Sequence, residues 1–138
     1  MSANLRSYGP GDRPGILALW ERCGDLPVAS DGLTADQALD LMASPSAVTV
    51  VAERDGGIVA ACVATATGPL AFFHRLSVPP AEEGDELAGQ VLELIEETLR
   101  ARGVERFAVM AQEGEERRRF EERGFERVGV LRYLERSA

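Results

Sequence analysis

No lysine occurs among the 138 residues, so all fifteen basic side chains are arginines. That absence excludes Schiff-base catalysis, a pyridoxal phosphate anchor and the lysine of a P-loop in one step. Cysteine and histidine are nearly as scarce. Cys23, Cys62 and His74 cannot assemble the usual zinc sites, and two cysteines do not make a disulfide framework. No uninterrupted apolar stretch approaches the roughly 20 residues that cross a bilayer, and the opening residues lack the basic and apolar tract of a leader, so the expected location is the cytoplasm, away from membranes. A net charge of −8 argues against a general nucleic-acid binder, because phosphate-backbone affinity needs clustered cations.

What is present is an ordinary globular composition, 45% hydrophobic and 28% charged, which fits one domain over residues 1–138. A short strand around Leu5 to Tyr8 leads to the turn Gly9-Pro10-Gly11-Asp12, with Asp12 as the expected N-cap of a helix that runs to about Cys23 and stops at Gly24. Thr34-Ala35-Asp36-Gln37 reads as a capping box opening a second helix, closed by Ser44-Pro45. Ala47 to Arg54 and Ile58 to Ala66, joined at Asp55-Gly56-Gly57, read as a hairpin, and Leu70 to Val78 as a third strand. The acidic loop Pro79 to Glu86 then feeds a long helix in which Leu87, Val91, Leu94, Ile95 and Leu99 share one face. Arg106 to Ala111 is a buried strand, Glu115 to Arg123 a charged helix, and Val128 to Leu134 a closing strand. The order predicts a mixed α/β fold: an antiparallel meander and one strand-helix-strand crossover in a single sheet, with helices on both faces.

That order resembles the GNAT superfamily, whose members transfer an acyl group from acyl-CoA to an amine. The resemblance is carried by Leu5-Arg6-Ser7-Tyr8 with Gly11-Asp12, by the hairpin Val50 to Ala60, by Leu76-Ser77-Val78-Pro79-Pro80 before the long helix, and by Phe120-Glu121-Glu122-Arg123-Gly124-Phe125, which matches Tyr-x-x-x-Gly-Phe. It spans Leu5 to Tyr133 and implies an acetyl-CoA cosubstrate. By the same resemblance, backbone groups around Leu76, Ser77 and Val78 would pair with the pantetheine arm as another strand would, and the strands on either side of the arm would splay apart. The following loop, residues Glu83, Gly84, Asp85, Ala88 and Gly89, would meet the pyrophosphate at a helix N-terminus.

The chain departs from the superfamily at that loop. Where Arg or Gln-x-x-Gly-x-Gly or Ala is usual, Glu83 takes the first position, Glu86 the first Gly, and only Ala88 conforms. Glu82, Glu83, Asp85 and Glu86 would oppose a doubly charged pyrophosphate, yet carboxylates in a first helical turn also favour the helix dipole. A hard cation is another conceivable occupant of this cluster, although its spacing is not that of a calcium loop. The Tyr that can protonate a leaving thiolate is replaced by Phe120, and the Asn often found before it falls in the Glu113 region.

His74, on the strand that would border the thioester, is the candidate general base toward the amine, and Glu53 in the hairpin is the lesser one. His74 beside Phe72 and Phe73 equally suits a packed structural role. Glu115 to Arg119 could lend guanidinium groups to a phosphate, and its i,i+4 spacing equally suits ion pairs on a solvated helix. Two readings therefore stand: an N-acetyltransferase acting on a small-molecule or peptide amine, with a homodimer as one expected assembly, or a GNAT-fold binding or interaction module with weak or no CoA affinity.

Overall fold

The computed structural model describes residues 3–23, 33–111, 114–132 and 134–138, and of Ala81 and Glu82 the backbone alone. Its five strands are β1 (Asn4–Ser7), β2 (Ala47–Arg54), β3 (Gly57–Thr67), β4 (Leu70–Ser77) and β5 (Arg106–Val109), and its helices are α1 (Arg13–Cys23), α2 (Ala35–Met42), α3 (Ala81–Ala101) and α4 (Glu115–Glu122). The strands lie in sequence order across one sheet. The first three contacts are antiparallel, while β4 and β5 run parallel, joined by α3. The mixed α/β architecture read from the sequence is the one observed.

The hairpin between β2 and β3 forms because Asp55 and Gly56 both adopt positive φ, 53° and 78°, the primed turn whose twist matches its strands. Alternation along the strands then sorts side chains into two cores. Val50, Ala52, Ala60, Cys62 and Phe73 face α3 and α4, whereas Val51, Ala61 and Val63 face α1 and α2. Leu87, Val91, Leu92, Ile95 and Leu99 of α3 are all at most 2% exposed, and each such side chain contributes about 1.5–3 kcal/mol by leaving water. Ile16, Leu19 and Trp20 seal the opposite face from α1. The cap of α2 is as read: Thr34 Oγ1 accepts from Gln37 N at 3.2 Å, and Gln37 Oε1 accepts from Thr34 N at 3.0 Å.

Four local expectations are corrected. Asp12 closes a short 3-10 turn, Pro10–Asp12, by accepting from Gly9 N at 2.8 Å, and so belongs to the turn before α1 rather than capping α1 itself. The acidic segment is no loop: α3 begins at Ala81, so Glu83, Asp85 and Glu86 lie in its first turns. β5 ends at Val109, two residues short of Ala111. Among the described residues no closing strand forms; Val128, Val130, Leu131 and Leu134 are 101%, 74%, 76% and 87% exposed and pair with nothing in the sheet. Gly24, expected to stop α1, and the Glu113 region lie outside the described residues.

Phe120 anchors α4 to the sheet. Its ring, 2% exposed, lies 5.8 Å from Phe73 and 5.2 Å from Phe125, with Phe107 completing the cluster 6.0 Å from Phe73. Glu96 of α3, nearly buried, joins the helices by accepting from Arg123 at 3.0 Å. Phe120→Ala should cost about 3–5 kcal/mol in urea unfolding, the range for emptying an aromatic site in a packed core. A loss below about 1 kcal/mol would mean that α4 is not held by this cluster.

Candidate functional site

The sheet opens between β4 and β5. Their pairing runs from Leu70 with Arg106 to Phe73 with Val109 and stops there, although β4 continues to Ser77 against β3. Beyond Phe73, then, the β5 side of β4 has no strand against it among the described residues. The gap leads directly to the N-terminus of α3, where Pro80 is the N-cap and no side chain caps the helix. Leu76 is half-buried, Ser77 and Val78 are buried, and the Val78 carbonyl accepts from Cys23 Sγ at 3.4 Å, tying the end of α1 to the end of β4. Leu76, Ser77 and Val78 therefore stand at the mouth of the opening, as expected for backbone able to pair with an extended ligand.

His74 stands at an irregularity that no composition or period announces. Val63 is opposite Arg75 and Ala64 is opposite Phe73, so His74 is the extra residue of a β-bulge, a device that re-aims side chains. There its Nε2 hydrogen-bonds Thr65 Oγ1 of β3 at 2.5 Å. Beside it Arg75, 5% exposed, lies 4.5 Å over the Trp20 ring and donates to the Leu33 carbonyl at 3.2 Å. Thr65 and Arg75 escaped the sequence reading because their roles depend on register. Glu53 instead accepts from Arg6 at 2.9 Å, and the same guanidinium grips Asp12 at 2.7 Å through both oxygens. That grip holds the Asp12 carboxyl below the ordinary carboxylate range.

The acidic turns of α3 prove to be answered by arginines from elsewhere in the chain. Arg54, at the end of β2, pairs with Glu83. Asp85 accepts from Arg118 at 2.9 Å and from Arg119 at 3.0 Å, both on α4, and these two guanidinium groups hold its carboxyl below the usual range. The field at this turn is thus far less negative than the local run of carboxylates implies. Arg118 and Arg119 are the cations the sequence could lend to a phosphate, and Asp85 already engages both. The rest of α4 carries the i,i+4 pairs its spacing suggests, Arg117 with Glu121 at 3.2 Å and Arg118 with Glu122 at 2.9 Å.

Gly84 is buried against the preceding strand-to-helix turn. A Cβ there would fall 1.7 Å from the Pro79 carbonyl oxygen and 2.8 Å from Arg119 Nη2. Gly84→Ala should therefore displace the first turn of α3 and lower stability by about 1–3 kcal/mol, read by urea unfolding. An unchanged midpoint would show that this turn shifts freely. Further along, Ala88 is buried and Gly89 has open space around its Cα; both line a cleft between α3 and α4 shared with Asp85, Leu92, Arg119, Glu122 and Arg123. Among the described residues no group of three or more His, Cys, Asp and Glu side chains could hold a metal ion. Nor is any described helix long and apolar enough to cross a membrane.

Comparison with known proteins agrees with this geometry. The sequence pattern of the Acetyltransferase (GNAT) family matches residues 15–125. No curated protein matches the chain in sequence. Among solved structures, it is similar to AAC(6')-Iy in complex with the bisubstrate analogue CoA-S-monomethyl-acetylneamine, at 13% identity over 100% of both chains with a TM-score of 0.78. An aminoglycoside acetyltransferase from an uncultured soil metagenomic sample gives 18% identity over 100% of both chains and a TM-score of 0.75. A predicted acetyltransferase from Clostridium acetobutylicum, solved with acetyl-CoA, gives 14% identity over 96% of both chains and 0.74. At these identities the structures share the fold. With the family pattern running from α1 to the aromatic cluster behind α4, over a sheet that opens between β4 and β5, the chain belongs to the GNAT acetyltransferase family.

Proposed function

We propose that this chain is an N-acetyltransferase that moves an acetyl group from acetyl-CoA to an amine. The observation that carries the reading is the early end of β5: β4 continues past Phe73 with no described strand on that side, toward the start of α3. An extended pantetheine arm can add to the β4 edge by backbone hydrogen bonds, mostly independent of side-chain identity. Two of the solved structures similar to this chain contain CoA chemistry, one as a bisubstrate analogue and one as acetyl-CoA.

In this reading the amine nitrogen attacks the thioester carbonyl carbon, the C–S bond breaks, and CoA leaves as a thiolate. The amine proton goes to His74 or to water, since His74 is the imidazole at the bulge of β4. The thiolate takes its proton from water, because Phe120, at the position where the superfamily places Tyr, has no hydroxyl and is buried among rings. Leu76, Ser77 and Val78 bind the arm, and residues Glu83 to Gly89 flank the phosphates.

One observation favours the second reading, a binding or interaction module with weak or no CoA affinity: Asp85 engages Arg118 and Arg119, two of the arginines that meet the first turns of α3. Calorimetric titration with acetyl-CoA separates the two. Micromolar binding, followed by acetylation of members of an amine panel, supports the enzyme; absence of heat at millimolar ligand supports the module.

A further inference from the structure

Residues two apart on a regular strand face the same way, yet Phe73 and Arg75 of β4 do not. Phe73 packs in the core against α3 and α4. The Arg75 guanidinium, 5% exposed, lies on the other side of the sheet, 4.5 Å over the Trp20 ring of α1, and donates to the Leu33 carbonyl at 3.2 Å. The extra residue between them, His74, makes this possible. It shifts the register so that Val63, which packs against α1 and α2, stands opposite Arg75.

Without the bulge, the ladder would continue from Ala64 with Phe73 so that Val63 met His74, Cys62 met Arg75 and Ala61 met Leu76. Cys62 is 1% exposed in the α3/α4 core, the same core that holds the rings of Phe73, Phe107, Phe120 and Phe125. A guanidinium always carries its charge, and a charge set among aliphatic and aromatic side chains is strongly disfavoured. Leu76 and Val78 are apolar and suit either core, so they do not choose between the two registers. Arg75 does. A slip of one residue would turn over every side chain that follows, and it would also exchange the backbone groups facing β3 for those facing the opening beyond Phe73.

We propose that Arg75 is a positioning residue, the register pin of β4: its charge, held over Trp20, keeps the bulge at His74 and so sets which backbone groups of Leu76, Ser77 and Val78 face the opening and meet the pantetheine arm. This stretch needs a pin of its own because β5 has ended, leaving β3 as the single described strand beside it. The last turn of α1 meets the stretch at both ends. Trp20 takes Arg75, and Cys23, three residues further along the helix, donates from Sγ to the Val78 carbonyl at 3.4 Å. The consequence for the arm rests on the acetyltransferase reading, whereas the register itself does not.

Nuclear magnetic resonance of the full chain reads the register without any ligand, from cross-strand contacts between β3 and β4. Wild type should show Val63 opposite Arg75. Arg75→Met is long, apolar and adaptable, so it fits either core; the unbulged pairing of Val63 with His74 should appear, and acetyl-CoA should bind about ten-fold more weakly or worse by calorimetry. Arg75→Lys keeps a charge that the α3/α4 core rejects and should hold the wild-type pairing, with acetyl-CoA affinity within about three-fold of wild type. Where Arg75→Met does not fold, Arg75→Gln takes its place, with the unbulged pairing again expected. A neutral variant that keeps the bulged pairing alone overturns the proposal, as does an Arg75→Lys protein that slips as the neutral one does. A slip that leaves acetyl-CoA affinity unchanged overturns the role in holding the arm. If wild type binds no acetyl-CoA, the transferase reading fails, and the pairing pattern still decides whether Arg75 is the pin.

Discussion

His74→Gln is expected to lower acetyl transfer at saturating acetyl-CoA by about ten- to ten-thousand-fold, with little change in acetyl-CoA affinity. The expectation follows from position. His74 is the bulged residue of β4, set beside the stretch where β5 has ended and held by its 2.5 Å hydrogen bond with Thr65. Gln keeps the size and a hydrogen bond to Thr65 while removing the ability to carry a proton near neutrality. Thr65→Val probes the same arrangement as a positioning contact: kcat should fall several-fold and the pH profile should shift, because the Thr65 bond helps set which ring nitrogen holds the proton. Turnover of His74→Gln that matches wild type across the neutral range would remove His74 from the chemistry and leave water as the base.

Asp85→Asn is expected to strengthen CoA binding on the order of ten-fold at low salt, an effect that shrinks as salt screens these partly exposed groups. Asp85 removes two cations from use, Arg118 at 2.9 Å and Arg119 at 3.0 Å, and adds its own negative charge where a pyrophosphate would lie. Mild acid cannot substitute for the mutation. The arginines hold the Asp85 carboxyl below its ordinary range, so it remains charged wherever the assay is run, and its folding contribution, present above the unfolded-state value, is lost only as pH falls through the lowered one. Calorimetry with CoA on both proteins decides the matter. Equal or weaker binding by Asp85→Asn would show that the carboxylate orders Arg118 and Arg119 for the phosphates rather than competing with them. Glu83→Arg, the change the local motif suggests, is the poorer experiment, because it would set a second guanidinium against Arg54.

The sequence by itself determined those parts of the protein whose information is local and periodic. The short apolar, β-branched runs at Ala47 to Ala52 and Ile58 to Ala64, the Asp55-Gly56 turn and the helical spacing of Leu87, Val91, Ile95 and Leu99 specify antiparallel strands, a hairpin and a buried helix face. The crossover to a parallel β5 follows from handedness and order once those elements are known. The tertiary structure alone decided how charges and edges meet, because Coulomb pairs and strand edges join residues far apart in the chain. The run Glu83 to Glu86 looks repulsive on its own; it is largely offset only when Arg54, Arg118 and Arg119 arrive from β2 and α4. A single extra residue opposite β3 gave His74 its direction, and no residue type encodes a register shift. Val128 to Leu134 carries the pattern of a strand, but a pattern names a face to bury and not the edge that buries it, and the described residues of the segment are exposed and outside the sheet.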